Sequence, residues 1–335
     1  MKDKGIFQRV FRYDMRVGVW QVRYRYGIAG IFLIIFIQST IQKFHSNDME
    51  VQYWDVLYAM FEGIQPFVPG RGEQFDLPVL LIVFELLMFF IVGNYSRADI
   101  FGYGRHVLLA AKSKRTWWLS KCVWVIGNIL LYYALAGALL VSMVFLNNPS
   151  IRFGLSSSCL YAQTGRNATM FLGNLVFLPI LTSVMIGLLQ MLVGFVTKPI
   201  FGYASVIALL VISSYSESQW LAGNYLMMLR NRFMVSEGVG FAFGVVYQCI
   251  LIGLIVLIGV IWMNKKMFWK EAVCHENTSG ALYKTAERCY RVGRCECGTV
   301  RRTYLWIAWE KWIWKNDVYA CSERIDECKR RKGVG

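Results

Sequence analysis

One acidic side chain lies in the middle of an apolar stretch, where a charge can take part in binding or proton chemistry. Residues 77–92, LPVLLIVFELLMFFIV, contain Glu85 as their single interior charge. Because a carboxylate at mid-membrane is costly, Glu85 is a candidate contact for a substrate or a cation. A protonated acid that hydrogen-bonds to a neighbouring helix is the alternative. Amide side chains in other apolar stretches are further candidates for a polar pathway: Asn128, Asn174, Gln190 and Gln248.

A basic stretch, residues 95–121, separates two apolar runs and reads YSRADIFGYGRHVLLAAKSKRTWWLSK. Its cations are opposed by a lone acid, Asp99; they are Arg97, Arg105, Lys112, Lys114, Arg115 and Lys121. An excess of Lys and Arg beside a span indicates the cytoplasmic side, and Trp117 and Trp118 lie where an aromatic belt is expected. The pattern predicts a short interfacial helix, about 99–111, between two spans.

Motifs for covalent, metal or nucleotide chemistry are missing from the reading frame. There is no phosphate-binding loop, no His and Cys pairing suited to a metal, and no nucleophile motif. The three histidines, His45, His106 and His275, are scattered. We therefore expect no catalytic residue, no metal site and no cofactor bound by this chain.

The composition is that of a membrane protein. Of 335 residues, 56% are hydrophobic, the mean hydropathy is +0.42, and several apolar runs approach the roughly 20 residues of a spanning helix. The formal charge of +15 falls largely in loops beside spans, where it orients the chain and meets lipid headgroups rather than nucleic acid. We predict an all-α, multi-pass protein in contact with the lipid bilayer.

Six spans, with both termini cytoplasmic, satisfy the charge rule at most boundaries. The predicted spans are residues 27–41, 77–92, 122–145, 170–196, 200–214 and 239–263. Residues 1–26 predict a basic interfacial helix, and residues 54–64 an amphipathic helix on the outer surface. An outer segment that carries Arg230 and Arg232 fits the charge rule least well.

The basic stretch resembles a family. Phe101-Gly102-Tyr103-Gly104, then Lys112-Ser113-Lys114-Arg115, then Trp117-Trp118-Leu119-Ser120-Lys121 entering a span, are similar to the cytoplasmic loop of type-2 ATP-binding-cassette (ABC) transporter permease subunits. The resemblance implies a permease domain over residues 27–271, with residues 95–121 as the loop that contacts a separate ATPase. The implied ATPase-coupling residues are Asp99, Gly102, Gly104, Arg105, Lys112, Lys114, Arg115, Trp117, Trp118 and Lys121.

By this resemblance the chain is the transport subunit of an ABC exporter in a bacterial-type plasma membrane. Its partners would be an ABC ATPase subunit, which holds ATP and Mg, and a second permease copy or a paralogue. Apolar walls with Glu85 and amide groups suit an amphipathic peptide, an antibiotic or a lipid-like cargo. The competing hypothesis is a stand-alone secondary transporter driven by an ion gradient, with Glu85 as the proton or cation site.

Residues 272–335 form a tail of different composition. They hold six of the nine cysteines and a tryptophan-dense patch: Cys274, Cys289, Cys295, Cys297, Cys321, Cys328, Trp306, Trp309, Trp312 and Trp314. The cysteine spacing does not give the paired C-x-x-C knuckles of a zinc module. An interfacial helix around the tryptophans is one interpretation.

A second interpretation follows from the genetic code, since tryptophan has one codon. Moving the frame forward by one nucleotide across Trp309 to Asp317 forces three glycines and permits the string G-K-N-G-S-G-K-T. That string matches G-x-x-x-x-G-K-[ST], the phosphate-binding loop of an ATPase. We predict that residues 272–335 are an out-of-frame reading of a neighbouring ATPase gene and form no packed core; chance in a tryptophan-rich helix is the alternative.

Overall fold

The computed structural model describes residues 2–46, 52–65, 77–93, 95–101, 107, 113–147, 168–235 and 238–265. All of them belong to the first of two units into which the chain divides, Met1–Lys266. The helices are α1 (Lys2–Tyr13), α2 (Val19–Ser46), α3 (Tyr53–Phe61), α4 (Val79–Val92), α5 (Tyr95–Phe101), α6 (Lys114–Asn147), α7 (Ala168–Leu172), α8 (Leu178–Val196), α9 (Pro199–Tyr215) and α10 (Phe241–Lys265).

Short segments of other helix types complete the described part. Two π-helical segments, Asp14–Gly18 and Gly173–Phe177, join α1 to α2 and α7 to α8. Two 3-10 turns, Ala222–Leu226 and Met228–Arg230, lie between α9 and α10. The described residues contain no β-strand beyond an isolated bridge between Asn231 and Val239.

Five helical stretches in the described part are long and apolar enough to cross a membrane, which confirms the predicted all-α, multi-pass class. They are Phe7–Ser46, Val79–Ile100, Lys114–Asn147, Met170–Val196 and Phe241–Asn264. The remaining predicted span corresponds to α9, which is apolar but has 17 residues. At 1.5 Å per residue α9 is about 26 Å long, near the lower limit for a span.

The N-terminal region is helical through the predicted boundary at residues 26 and 27. Helix α1, the segment Asp14–Gly18 and α2 follow one another without a break from Lys2 to Ser46. The reason is local: Gly27 and Gly30 meet no neighbouring atom that would force a turn, and no proline interrupts the run. The predicted basic interfacial helix and the first span are therefore parts of one helical rod.

A break does occur between α4 and α5. Gly93 adopts φ +40°, a conformation that favours glycine, and its N–H bonds to the Phe89 carbonyl at 2.7 Å. Arg25 donates from its guanidinium to the carbonyls of Phe90 at 3.0 Å and Ile91 at 3.3 Å. A cation at this position complements the partial negative charge of a helix C-terminus. The chain thus leaves α4 at a fixed point and starts α5 there.

Helix α8 lies at the centre of the described bundle. It packs against α6, α9 and α10, and also contacts α4 and α5. Most of its circumference is apolar and buried, as expected for a helix that is hydrophobic all round. Helix α6 is the longest single helix, with 34 residues and a length of about 51 Å. It packs on α1, α2, α8 and α10, so it connects both ends of the bundle.

Two sequence predictions fall outside the described residues. One is most of the interfacial helix at 99–111, of which the structure describes α5 and Val107. The other is the tail at 272–335, including its frameshift origin. Both stay predictions.

Candidate functional site

Lys121 is fully buried near the start of α6, and its ammonium group is paired with two carboxylates. Its Nζ lies 2.5 Å from Asp14 Oδ1 and 2.5 Å from Asp99 Oδ2. Asp14 also accepts hydrogen bonds from the Tyr95 hydroxyl at 3.0 Å and from Ser120 Oγ at 2.5 Å. We refer to these five residues as the Lys121 cluster. Buried charges persist when they are paired and hydrogen-bonded, and this arrangement meets that condition.

The Lys121 cluster joins three elements that are distant in sequence. Asp14 comes from the π segment after α1, Tyr95 and Asp99 from α5, and Lys121 from α6. A π turn inserts one extra residue, which changes the face that the following residues present, and such turns often occur at functional positions. The α5 segment is thereby held by buried polar contacts to both the N-terminal helical region and α6.

Close packing around Gly18 supports the cluster from one side. A Cβ on Gly18 would lie 2.3 Å from the indole nitrogen of Trp124, so a side chain at this position would force the ring to move. The ring of Tyr95 stacks on Trp124 with 4.1 Å between centroids. The tyrosine that donates to Asp14 is therefore fixed on its apolar face as well.

Trp117 and Trp118 are fully buried, whereas the sequence pattern placed them at an aromatic belt. Their ring centroids lie 5.9 Å and 5.6 Å from that of Phe195 in α8. The Trp118 indole also donates to the Val256 carbonyl of α10 at 3.3 Å. Helix α6 starts eight residues before the predicted span, at Lys114. Both tryptophans consequently lie within a helix that faces its neighbours.

The predicted ATPase-coupling residues divide by exposure. Four are buried inside the described part of the chain, namely Asp99, Trp117, Trp118 and Lys121. Arg115 is exposed and Lys114 is partly exposed. The other four, Gly102, Gly104, Arg105 and Lys112, lie outside the described residues. Within the described part, Arg115 is the exposed member of this set, while the buried four contact other residues of this chain.

Arg97 anchors α5 on a different helix. Its guanidinium donates to the carbonyl of Gly194 at 3.2 Å and to the carbonyl of Thr197. Both acceptors belong to the C-terminal end of α8, where a cation is electrostatically favoured. The sequence pattern counted Arg97 among the positive charges of a cytoplasmic loop. In the structure it caps the C-terminal end of α8.

Glu85 is fully buried in α4 and shares one carboxyl oxygen with two hydroxyls. Its Oε1 accepts from Ser183 Oγ of α8 at 2.8 Å and from the Tyr133 hydroxyl of α6 at 3.1 Å. The two hydroxyl oxygens lie 2.8 Å apart. Glu85 Oε2 is buried and has no hydrogen-bond partner in the described part. We refer to Glu85, Tyr133 and Ser183 as the Glu85 triad, which connects three helices.

A groove of about 370 Å³ opens beside the Glu85 triad. Helix α3 forms one wall with Trp54 and Leu57, α6 forms another with Gly137, and Leu175 belongs to the segment that leads into α8. Tyr133 lines the groove, and its hydroxyl contacts Glu85 and Ser183, which are not among the lining residues. Among the described lining residues none is charged.

The predicted pathway amides all form hydrogen bonds of their own. Asn128 accepts from the Tyr26 hydroxyl at 2.9 Å. Gln190 donates to the Phe89 carbonyl at 3.3 Å, and Gln248 donates to Thr182 Oγ1 at 3.2 Å.

Asn174 completes this set of amides, because it accepts from Asn231 Nδ2 at 2.6 Å. These contacts join different helices at separate places. Gln248 is linked to a neighbour of the Glu85 triad, since its partner Thr182 directly precedes Ser183 in α8.

A second buried cation, Arg230, lies at the other end of the bundle. Helix α9 relates the two ends, because it starts next to Thr197, which Arg97 binds, and ends about 26 Å away beside Arg230. The guanidinium binds backbone carbonyls at the end of α9 and α3 and one amide oxygen. We refer to this set as the Arg230 network, formed with Ile64, Ser213, Ser214, Ser216 and Asn224.

Burial controls the electrostatics of Arg230. Desolvation lowers the pKa of its guanidinium below the ordinary value, and the charge of Glu217 opposes this shift. The group nevertheless lies at a helix C-terminus, where carbonyl oxygens stabilise a cation. These contacts give a reason for an arginine in a segment that is predicted to lie outside and that the charge rule fits poorly: Arg230 holds the ends of α3 and α9 and the 3-10 turns together.

Sequence reasoning missed six of these residues: Asp14, Tyr95, Ser120, Tyr133, Ser183 and Arg230. For Asp14 a signal existed, since it is an isolated acid among Arg9, Arg12 and Arg16 in the N-terminal helix. Tyr133 and Ser183 carry no local signal, because uncharged hydroxyls are common in spans. Their role depends on which faces of α6 and α8 meet α4.

These features define a class: an α-helical multi-pass membrane protein with one buried charge cluster, one buried carboxyl triad and an apolar groove. No protein-family model matches the chain, and no curated protein and no solved structure is similar to it at a significant level. The class is thus the identification that fold and site support.

Proposed function

We propose that this chain is the permease subunit of an ATP-driven exporter, in which a separate ATPase subunit moves the segment around α5. The observation that carries the proposal is the Lys121 cluster. It links α5 to the N-terminal helix and to α6 through buried, charge-assisted contacts.

A displacement of α5 would therefore be transmitted directly to α6 through these contacts. Tyr133 lies 12 residues beyond Lys121 on α6, about 18 Å along a rigid helix. A partner that binds one state of this lever better than the other would shift the pathway between its two states. The exposed Arg115 and the neighbouring Lys114 are the described groups through which such a partner would attach.

The genetic code supplies independent support for the partner. The shifted frame across Trp309 to Asp317 permits a complete phosphate-binding loop, as a neighbouring ATPase gene would. A second copy or a paralogue of the permease would complete the pathway in this arrangement. The lipid bilayer surrounds both subunits.

The test is co-purification with the ATPase encoded beside this chain, in a plasma-membrane preparation. We expect the pair to elute together, and Lys114→Glu with Arg115→Glu to abolish the association by reversing charge at an exposed site. Lys43→Glu, an exposed lysine at the far end of α2, is the matched control and should leave the association intact. If the flanking DNA encodes no ATPase and the chain alone transports cargo, the proposal is wrong.

Buried and exposed residues should separate in the same assay. The neutral variant Lys121→Met with Asp14→Asn and Asp99→Asn changes no exposed group and leaves no buried carboxylate unpaired, so we expect the ATPase to bind while cargo-stimulated ATP hydrolysis falls. Loss of binding for this triple variant at unchanged folding would show that the lever model is mistaken.

The secondary transporter is the second candidate, and one observation favours it. Glu85 is fully buried and its Oε2 lacks a hydrogen-bond partner in the described part, which is a position for a proton or a cation. Under this hypothesis transport in vesicles would survive ATP depletion and would collapse on Glu85→Gln. Transport that requires ATP and tolerates Glu85→Gln would exclude it.

A further inference from the structure

We propose that the groove between α3, α6 and α8 binds a single-chain aliphatic amine, with its chain in the groove and its ammonium group at the Tyr133 hydroxyl. Binding requires no ATPase, so this inference can hold or fail separately. The ligand would be a cargo only if the proposed function also holds.

The walls of the groove specify an apolar, elongated molecule. Trp54, Leu57 and Phe61 of α3 face Leu130 and Leu140 of α6 across it. A volume of about 370 Å³ lies within the range of small-molecule sites, and apolar walls with few polar groups are typical of such sites. If a methylene group takes up about as much space as the roughly 30 Å³ of a liquid water, about a dozen carbon atoms fill it.

The Tyr133 hydroxyl, one of three polar side chains in the lining together with Tyr53 and Trp54, specifies a head group that donates hydrogen. The Tyr133 hydroxyl has one hydrogen, and both of its close partners, Glu85 at 3.1 Å and Ser183 at 2.8 Å, are not among the lining residues. Whichever partner receives that hydrogen, the phenol oxygen is left as an acceptor. A ligand that can only accept hydrogen bonds finds no donor there.

Charge complementarity selects an ammonium over a neutral donor. Glu85 has no ion-pair partner among the described residues, and the described lining residues of the groove include no cation. A positive group at Tyr133 would lie next to this carboxyl with one phenol oxygen between them. A hydrogen bond in which the donor is ionised is about twice as strong as a neutral one, so an ammonium gains more than an alcohol at the phenol oxygen.

The experiment uses the full chain in lipid nanodiscs and a dodecylamine with a diazirine at the end of its chain. After photolysis, we expect the labelled peptides to come from α3 and from residues 130–140 of α6. Unlabelled dodecylamine should compete roughly tenfold better than dodecanol, as the loss of a charged hydrogen bond implies. Labelling outside the groove, or equal competition by the alcohol, overturns the proposal.

Four variants separate the effect of groove shape from that of charge. A Cβ on Gly137 would meet only the Tyr53 hydroxyl, at 3.8 Å, so Gly137→Leu fits the fold while its side chain fills the groove. We expect Gly137→Leu to abolish labelling, and Gly137→Ala to retain most of it. Tyr133→Phe and Glu85→Gln should keep labelling but remove the preference for the amine over the alcohol.

Folding is checked by a single symmetric peak in size-exclusion chromatography. Should Glu85→Gln fail this check, Tyr133→Phe and Gly137→Leu still decide the outcome. Undiminished labelling of Gly137→Leu contradicts the site. An undiminished amine preference in Tyr133→Phe contradicts the assigned head-group contact.

Discussion

Two fully buried cations lie at opposite ends of this bundle, and their partners differ in kind. Lys121 is paired with the carboxylates of Asp14 and Asp99, so its neighbours carry charge. Arg230 is surrounded by neutral carbonyl and amide oxygens at helix ends. The first arrangement depends on how three ionisable groups are balanced. The second depends mainly on backbone carbonyls at helix ends, with one side-chain amide from Asn224.

The difference indicates different tasks for the two ends. A carbonyl at a helix terminus stays an acceptor under any condition in which the helix is intact, so the Arg230 network is a permanent tie. A carboxylate–lysine cluster with two acids for one base has alternative pairings. The end that holds the Lys121 cluster is therefore the one at which we place the moving contacts.

Lys121→Met is expected to give the largest effect. Removal of the only described cation between Asp14 and Asp99 leaves two buried carboxylates unpaired, which costs about 3–5 kcal/mol. The measurement is the free energy of unfolding from titration with a denaturing detergent. Lys43→Met, at an exposed lysine, is the control and should change that free energy by less than about 0.5 kcal/mol.

The same site also offers a rescue. Lys121→Met combined with Asp14→Asn and Asp99→Asn replaces the charged cluster by neutral groups of similar size. We expect this triple variant to regain at least about 2 kcal/mol of the lost stability, since neutralised clusters are often tolerated. A triple variant that is no more stable than Lys121→Met would show that charge is not the source of the loss.

Arg230→Met should have the second-largest effect, about 3 kcal/mol, because several buried acceptors lose a charged donor at once. Here no substitution of a partner can compensate, since most acceptors are backbone carbonyls. Arg230→Lys should recover part of the loss, because an ammonium reaches fewer of these acceptors than the planar guanidinium. The exposed Arg232→Met is the matched control in the same unfolding titration. Equal stability of Arg230→Met and Arg232→Met would contradict the assignment of the network.

Tyr95→Phe should have the smallest effect, about 1 kcal/mol. It removes one hydrogen bond to Asp14 at 3.0 Å, while Lys121 and Ser120 continue to bind that carboxylate. The ring and its packing on Trp124 are kept. Tyr24→Phe, at an exposed tyrosine, provides the comparison and should leave the unfolding curve unchanged. A loss for Tyr95→Phe as large as that for Lys121→Met would mean that the hydroxyl, not the ion pair, holds the cluster.

The membrane class and most spans can be predicted from the sequence, because a long apolar run rarely forms anything other than a membrane-spanning helix. The burial of Glu85 follows for the same reason. Helix ends follow less well: α6 begins at Lys114 rather than Cys122, since Trp117, Trp118 and Lys121 find partners inside the protein. Local polarity predicts a surface there, and tertiary contacts reverse it.

The partners of buried polar groups could not be predicted. A count of charges treats Arg230 as an exposed outer cation, because it ignores that carbonyls at helix C-termini can bind a guanidinium. Asp14 reaches Lys121 only through the π turn, which no apolar period indicates. The Glu85 triad depends on the relative rotation of α4, α6 and α8. Each of these contacts is a property of packing between distant segments.

The π turn at Asp14–Gly18 sets the rotational phase of the N-terminal helix against the rest of the rod. A residue in a regular helix advances the direction of its side chain by about 100°, so deleting one residue of this turn would swing every preceding side chain by that angle. Phe7 would take the exposed position of Gln8 and Arg9 the buried position of Val10, so the amphipathic pattern of α1 would point elsewhere. The one extra residue of this turn therefore fixes the rotation of α1 about its own axis relative to the bundle.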